Sequence, residues 1–408
     1  MPGLTGLPAG KRHVGGLLPA PASQASAGPS LVTSSGAPVG VPSSAASKGV
    51  IKLGTVLPLE GGDRDWGVPV LRTTQAYIDE LNARGGVAGY RLQLVAYNAC
   101  LTCQDDALTA VRHLVEQDHV FAIVNTYVMV VAFQSVVPYL QQHGVPLIQG
   151  GSEAQDNDAL SPINFVTAPP GLFYVHFLAA MVAKYSHLKK VAIAYLDVPT
   201  ERHGLPLVEH ELQKEGVQVV DTASIAAEEQ AATNMDGIVT RFRYHGAQGV
   251  LATNPVLLVF GRLAAARQGW QVPWIGEAAW SFLVPQTCGT TCDDVVLTET
   301  AGLSFTTRNT PQMKQFVDVM HRRYPGGSIT GHTLAAWVGM QLLVQILGEV
   351  GKPDRGAFID KLNHTTNLDL GTTTPLTFTP DRHMGGTATT LLRLRNGQYV
   401  AVSPPVTG

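Results

Sequence analysis

Four cysteines are spaced for chemistry: Cys100 and Cys103 in CLTC, and Cys288 and Cys292 in CGTTC. Three chemistries suit such local pairs. Two small disulfide loops place the protein outside the cytoplasm, each closure of about four residues contributing roughly 2 kcal/mol in the chain-entropy account. A thioredoxin-like dithiol suits CLTC, which stands between a strand and a helix pattern. A four-cysteine zinc site requires pairs distant in the chain to converge. The expectation carried forward is two disulfides, Cys100 with Cys103 and Cys288 with Cys292.

The stretch LEGGDRDWG, residues 59 to 67, lies between a strand and a helix pattern, where a Gly-rich turn cradles ligands. It matches neither G-x-G-x-x-G nor G-x-x-x-x-G-K-[ST], and Asp63 and Asp65 repel phosphate. Ser152 in GGSE follows a strand but lacks the second glycine of a nucleophile elbow, and no His or Asp is marked as its partner. The thirteen histidines include no H-E-x-x-H. Adjacent carboxylates such as Asp105 with Asp106 and Asp293 with Asp294 diverge on a helix or strand and cannot share one substrate bond. The reading is therefore no catalytic set, no metal, no cofactor and no enzyme.

The 408-residue chain has a formal charge of −3 with no Lys/Arg stripe, which gives no electrostatic case for nucleic acid or an anionic membrane and points to a small-molecule partner. The most apolar run considered, YVMVVAFQSVVPYL, is broken by Gln134, Ser135 and Pro138, so no transmembrane segment is expected. Residues 1–49 are rich in Pro, Ala, Ser and Gly and carry Lys11, Arg12 and Lys48 as their only charges, the composition of a disordered linker. VGGLLPAPASQASA shares features with the end of a signal peptide, and a secreted or lipid-anchored protein with an upstream signal leaves such a tail.

From Val50 onward short β-rich runs alternate with helical patterns, the grammar of parallel sheets covered on both faces. VIKLGTVL (50–57), RLQLVAY (91–97), VFAIV (120–124) and VPLIQ (145–149) form one set. KVAIAYL (190–196), VQVVDTASI (217–225), GVLAT (249–253) and VPWIG (272–276) form a second, with helices near 171–186, 202–215, 233–245 and 255–268. INFVTAPP (163–170) and TAGLSFTT (300–307) read as crossovers. Helices follow at about 311–324 and 331–350, and Asn396-Gly397 between alternating runs signals a hairpin.

Two successive doubly wound units opening with IKLGTVLPLEGG resemble the type I periplasmic solute-binding proteins, and within them the branched-chain amino-acid and amide-binding group of ABC transporters. DELNARGGVAG, ALTAVRHLVEQDHVFAIV, GVPLI, LAAARQGW and LTFTPDRHMGG carry the likeness over roughly residues 50–400. The resemblance implies an α/β fold of two doubly wound parallel-sheet lobes joined by three crossovers. It assigns residues 50–167 plus 305–350 to lobe 1, and 168–304 plus 351–408 to lobe 2. It implies a non-catalytic, extracytoplasmic protein that closes by a hinge on a small solute and delivers it to an ABC permease. A ligand-sensing receptor or regulator of the same fold is the alternative.

Carried onto this chain, the resemblance makes Trp66, Tyr127 and Trp280 the apolar walls. Thr126, Gln149, Gly150, Gly151, Ser152, His203, Asn254 and Glu277 become the polar contacts. It also marks departures. Met129 stands where relatives place a small hydroxyl residue for a ligand carboxylate, and Glu153 aligns with a second hydroxyl position, where an anion disfavours a carboxylate ligand. Glu277 lies one place before the acidic position that holds an ammonium group.

Overall fold

GVIKLGTVL sends alternate apolar side chains to opposite faces, as a strand covered on both sides must. The computed structural model describes residues 30–32, 47–61, 64–100, 103–126, 129–149, 161–167, 187–197, 199–227, 230–277, 283–298, 310–327, 329–386, 388–402 and 406–407. In it Ile51 and Leu53 enter one apolar core and Val56 another. The first part of the chain forms β1 (Ser30–Val32), β2 (Gly49–Leu57), α1 (Arg64–Ala83), β3 (Tyr90–Asn98), α2 (Gln104–Glu116), β4 (Ala122–Val124), α3 (Met129–Gln142), β5 (Leu147–Gln149) and β6 (Asn164–Val166). The sheet order is β1-β3-β2-β4-β5-β6, parallel throughout except where β1 meets β3. Helices α2 and α3 bury Val111, Leu114, Val137 and Leu140 against the Val56, Ile123 and Leu147 face.

The grammar then repeats as β7 (Lys190–Leu196), α4 (Pro199–Lys214), β8 (Gln218–Ile225), α5 (Ala231–Tyr244), β9 (Gly249–Ala252), α6 (Pro255–Arg267), β10 (Trp274–Glu277), α7 (Leu283–Cys288) and β11 (Val296–Thr298). Val191, Ile193, Leu251 and Ile275 pack on Val208 and Leu212 of α4, while Ala194, Val250 and Ala252 pack on Met235 of α5 and Leu258 of α6.

Three helices follow: α8 (Pro311–Arg323), α9 (Gly331–Val350) and α10 (Arg355–Asn363). They join α1 on the other face of the first sheet, where Phe316, Leu334, Trp337 and Phe358 meet Leu53, Val124 and Ile148. Helix α9 starts at a capping box of Thr330 and Thr333 and stops at Gly351, whose φ of 76° only glycine adopts freely. It is long and apolar enough to cross a membrane, but 67% of its apolar stretch is buried in the protein and the Trp337 ring meets Tyr77 edge-on at 4.7 Å. Beyond its first turn, only a stripe of Gln341, Gln345 and Glu349 breaks its apolar surface and faces outward, so it is a core helix. The chain ends in β12 (Ala388–Thr389), β13 (Leu391–Arg395), β14 (Gln398–Ala401) and β15 (Val406–Thr407). The second sheet runs β14-β13-β11-β10-β9-β7-β8, with β13 antiparallel to β11.

The architecture is thus α/β, two parallel-dominated sheets each covered by helices, and the chain passes between them three times: β6 to β7, β11 to α8, and just before β13. Asn396 and Gly397 turn the β13–β14 hairpin with φ of 50° and 74°, flanked by the Arg395–Gln398 pair. Two expectations need correction. The composition of residues 1–49 predicts linker throughout, yet Ser30–Val32 adds an antiparallel strand to the β3 edge. The resemblance gives all of residues 351–408 to the second lobe, yet Phe358, Leu362, Leu376 and Phe378 lie in the first core and Arg355 donates to the Phe121 and Val120 carbonyls at 3.0 and 2.6 Å. Gly385 N–H also donates to Val166 O at 2.8 Å, so the last passage falls after residue 386. INFVTAPP, read as a crossover, contributes β6, which pairs with β5 on one side and bridges to Met384 on the other before the chain passes to β7. The expected helix at 171–186 and the run 300–307 lie outside the described residues.

Candidate functional site

Within the first sheet β3 lies to one side of β2 and β4 to the other; within the second, β8 and β9 flank β7 in the same way. Each sheet therefore has a switch point, β2/β4 and β7/β9, where loops leaving the carboxyl ends of adjacent strands diverge and open a crevice. Every candidate residue that is described sits at those carboxyl ends. Trp66 is in the first turn of α1 after β2, and Thr126 follows β4. Gln149 closes β5, His203 is near the start of α4 after β7, Asn254 follows β9, and Glu277 closes β10. Tyr127, Gly150, Gly151, Ser152, Glu153 and Trp280 lie outside the described residues.

The β2 side is built by close approach. A Cβ on Gly67 would stand 2.1 Å from the Pro58 carbonyl oxygen, so only glycine lets the first turn of α1 lie on the end of β2. Asn98, at the end of β3, accepts the Leu59 N–H at 2.8 Å and donates to Glu60 Oε2 at 3.4 Å, which holds the start of LEGGDRDWG against β3.

At the end of β4, Asn125 adopts the left-handed region, φ 46°. Its Nδ2 donates to Thr74 Oγ1 of α1 at 3.0 Å and to the Ala336 carbonyl of α9 at 2.9 Å, so one buried amide ties strand, α1 and α9 together. Thr126 Oγ1 donates to Val56 O at 2.7 Å and is 1% exposed. Gln149 Nε2 donates to Asn164 Oδ1 at 2.9 Å and the residue is 0% exposed. The side chains of Thr126 and Gln149 therefore form the floor beneath the strand ends rather than reach open space. In the first turn of α9, burial pushes the pKa of His332 down to about 3, so the ring is neutral.

The second switch point is tied by a residue that sequence reasoning missed. Glu201, in the first turn of α4, accepts the Leu196 N–H at 2.6 Å and the Thr253 hydroxyl, joining the ends of β7 and β9. Asn254 caps α6, its Oδ1 accepting from Val256 N–H at 2.8 Å ahead of Pro255 at the first helical position. Asn98, Asn125 and Glu201 share a readable signal, a polar side chain within a few residues of a strand end, but apart from Leu196 their partners are remote in sequence. The arrangement offers rigid, hydrogen-bonded strand ends, and among the described residues no group of His, Cys, Asp or Glu is placed to hold a metal ion.

Both cysteine pairs are disulfides, Cys100–Cys103 and Cys288–Cys292, with Cα separations of 5.2 and 5.6 Å. Cys100 follows β3, whereas Cys288 and Cys292 lie in the core of the second sheet, which removes the zinc reading. A surface groove of about 670 Å³, lined by Glu80, Lys314, Asp318 and Arg322, runs between α8 and the last turns of α1. It is at the opposite end of α1 from Trp66 and belongs to no strand end.

Known proteins share this plan. The profile of a family described as periplasmic binding protein matches residues 50–398. A Leu/Ile/Val-binding protein homolog of Brucella suis biovar 1 is 25% identical over 347 residues, 79% of this chain and 83% of that one. The solute-binding protein of an R. palustris ABC transporter, in complex with 4-hydroxybenzoate, superposes with a TM-score of 0.73 at 18% identity, over 88% of this chain and 96% of its own. A branched-chain amino acid ABC transporter protein of Thermus thermophilus with bound valine gives 0.74 at 15% identity, over 89% and 97%.

Proposed function

Because the chain belongs to the periplasmic binding protein family, we propose that it captures a small organic solute between its two lobes and hands it to the permease of an ABC transporter. The observation that carries this reading is the repeated strand order, which puts one crevice-forming switch point in each lobe. The lobes close on the solute by rotation about the three chain passages, and affinity depends on how far contacts with both lobes outweigh the preference of the empty protein for the open form. No covalent bond of the solute changes. Two disulfides support an extracytoplasmic location, where such bonds persist.

Trp66, Tyr127 and Trp280 supply apolar walls in this reading, and His203, Asn254, Glu277, Gly150, Gly151 and Ser152 supply directional contacts. Thr126 and Gln149 serve through their backbone and as floor. Met129 opens α3 with no hydroxyl in its first turn, and Glu153 adds an anion after β5, so the solute is neutral, aromatic or cationic rather than a simple carboxylate. A thermal-shift panel of branched amino acids, amides, amines and 4-hydroxybenzoate tests the reading, since a binder stabilises by RT ln(1 + [L]/Kd). The double variant Trp66→Ala with Trp280→Ala loses the shift of any hit while keeping its fold; unchanged binding in that variant removes this site.

A further inference from the structure

The two disulfides differ in access and in what they touch. Cys288 and Cys292 are buried, 7% and 0% exposed, among apolar side chains of the second core. Cys100 and Cys103 are only half-buried and close the turn from β3 into α2, where Cys103 N–H donates to Cys100 O at 3.3 Å. Thiol–disulfide exchange requires an external thiolate to reach a sulfur atom, so the accessible pair reacts and the buried pair waits for local unfolding. The turn is also joined to the Gly-rich segment at the carboxyl end of β2. Ala99 N–H donates to Leu57 O at 3.1 Å, and Asn98, two residues before Cys100, holds Leu59 N–H at 2.8 Å and Glu60 Oε2 at 3.4 Å.

We infer that Cys100–Cys103 is a thiol-exchange site for a small thiol or dithiol, and that its redox state sets the rigidity of residues 57–61, which lead into Trp66. Asp105 and Asp106 in the first turn of α2 repel an anionic thiol carrier, so the site favours an uncharged or cationic one. An external thiolate attacks one cysteine sulfur, the intramolecular S–S bond breaks, and the other cysteine leaves as a thiolate that takes a proton. A second external thiolate then attacks the outer sulfur of the mixed disulfide, expelling the remaining cysteine. Two electrons pass from two thiols to the cystine, and the products are one external disulfide and two protein thiols.

That a looser 57–61 segment weakens solute binding at Trp66 rests on the transport reading; the redox claim and its test do not. The full chain is titrated with dithiothreitol, quenched with an alkylating reagent, and each cysteine pair is followed by peptide mass spectrometry. Hydrogen exchange of residues 57–61 is measured in parallel. The expected result is labelling of Cys100 and Cys103 about tenfold or more faster than Cys288 and Cys292, with faster exchange at Leu59 once the first pair is reduced. Cys100→Ser with Cys103→Ser reproduces that exchange without reductant, and Cys288→Ser with Cys292→Ser does not. Should the serine variant of the first pair fail to fold, reduced parent protein supplies the same state. Simultaneous labelling of both pairs, or an unchanged Leu59 amide after reduction of the first, overturns the inference. A protein that passes both readouts yet binds no solute contradicts the transport reading alone.

Discussion

Replacing Asn125 by alanine tests whether the floor of the site is held as described. The side chain is 2% exposed and donates two hydrogen bonds, to Thr74 Oγ1 and to the Ala336 carbonyl, from a backbone at φ 46°. Each buried bond contributes about 1 kcal/mol net, and forcing a residue with a Cβ but no local hydrogen bond into the left-handed region costs about 1 kcal/mol more. Asn125→Ala therefore lowers the unfolding free energy by about 3 kcal/mol, read from urea denaturation followed by circular dichroism. Asn125→Gly loses the same two bonds but accepts the backbone, so its loss is smaller by about 1 kcal/mol. A stability within about 0.5 kcal/mol of the parent, or a glycine variant less stable than the alanine variant, refutes the reasoning.

Other perturbations follow from the same geometry. Gly67→Ala pushes the first turn of α1 off the Pro58 carbonyl, and it lowers thermal stability and solute affinity together, seen as a reduced Tm and a raised Kd. Phe358→Ala removes a ring that meets Phe121 edge-on at 5.3 Å in the first core. It costs about 3–5 kcal/mol, whereas near-parental stability would take α10 out of that core. His332 is neutral when folded, with a pKa near 3 against an ordinary 6.5. The unfolded chain thus binds this proton first, and stability is lost as pH falls below about 6.5, by about 2 kcal/mol at pH 5. In His332→Gln that part of the pH dependence disappears, and an unaltered slope counts against the burial of the ring.

Short continuous apolar runs mark the central strands because each is covered on both faces, and the apolar register of α9 marks a helix whose bounds, Gly331–Val350, match the sequence reading. The Asn396-Gly397 turn was readable because its left-handed backbone demands those residue types. What stayed hidden depends on contacts between distant segments. Nothing in RGAFIDKLN tells which sheet will cover Phe358, and the partner of Arg355 is a pair of carbonyls more than two hundred residues away in the chain. Thr126 and Gln149 have side chains suited to a ligand; only their burial against Val56 and Asn164 shows that they pack beneath the strand ends. Glu201 escaped notice because an acid in the first turn of a helix already has a local explanation in the helix dipole. Its bond to Thr253 is tertiary.

The most direct measurement is solution X-ray scattering of the full chain with and without the strongest hit from the solute panel, with saturation and chemical integrity of the solute checked by calorimetry and mass spectrometry. The account predicts a smaller radius of gyration on saturation and an unaltered solute recovered afterwards. A saturated protein that keeps its dimensions, or a solute returned as a different compound, contradicts it.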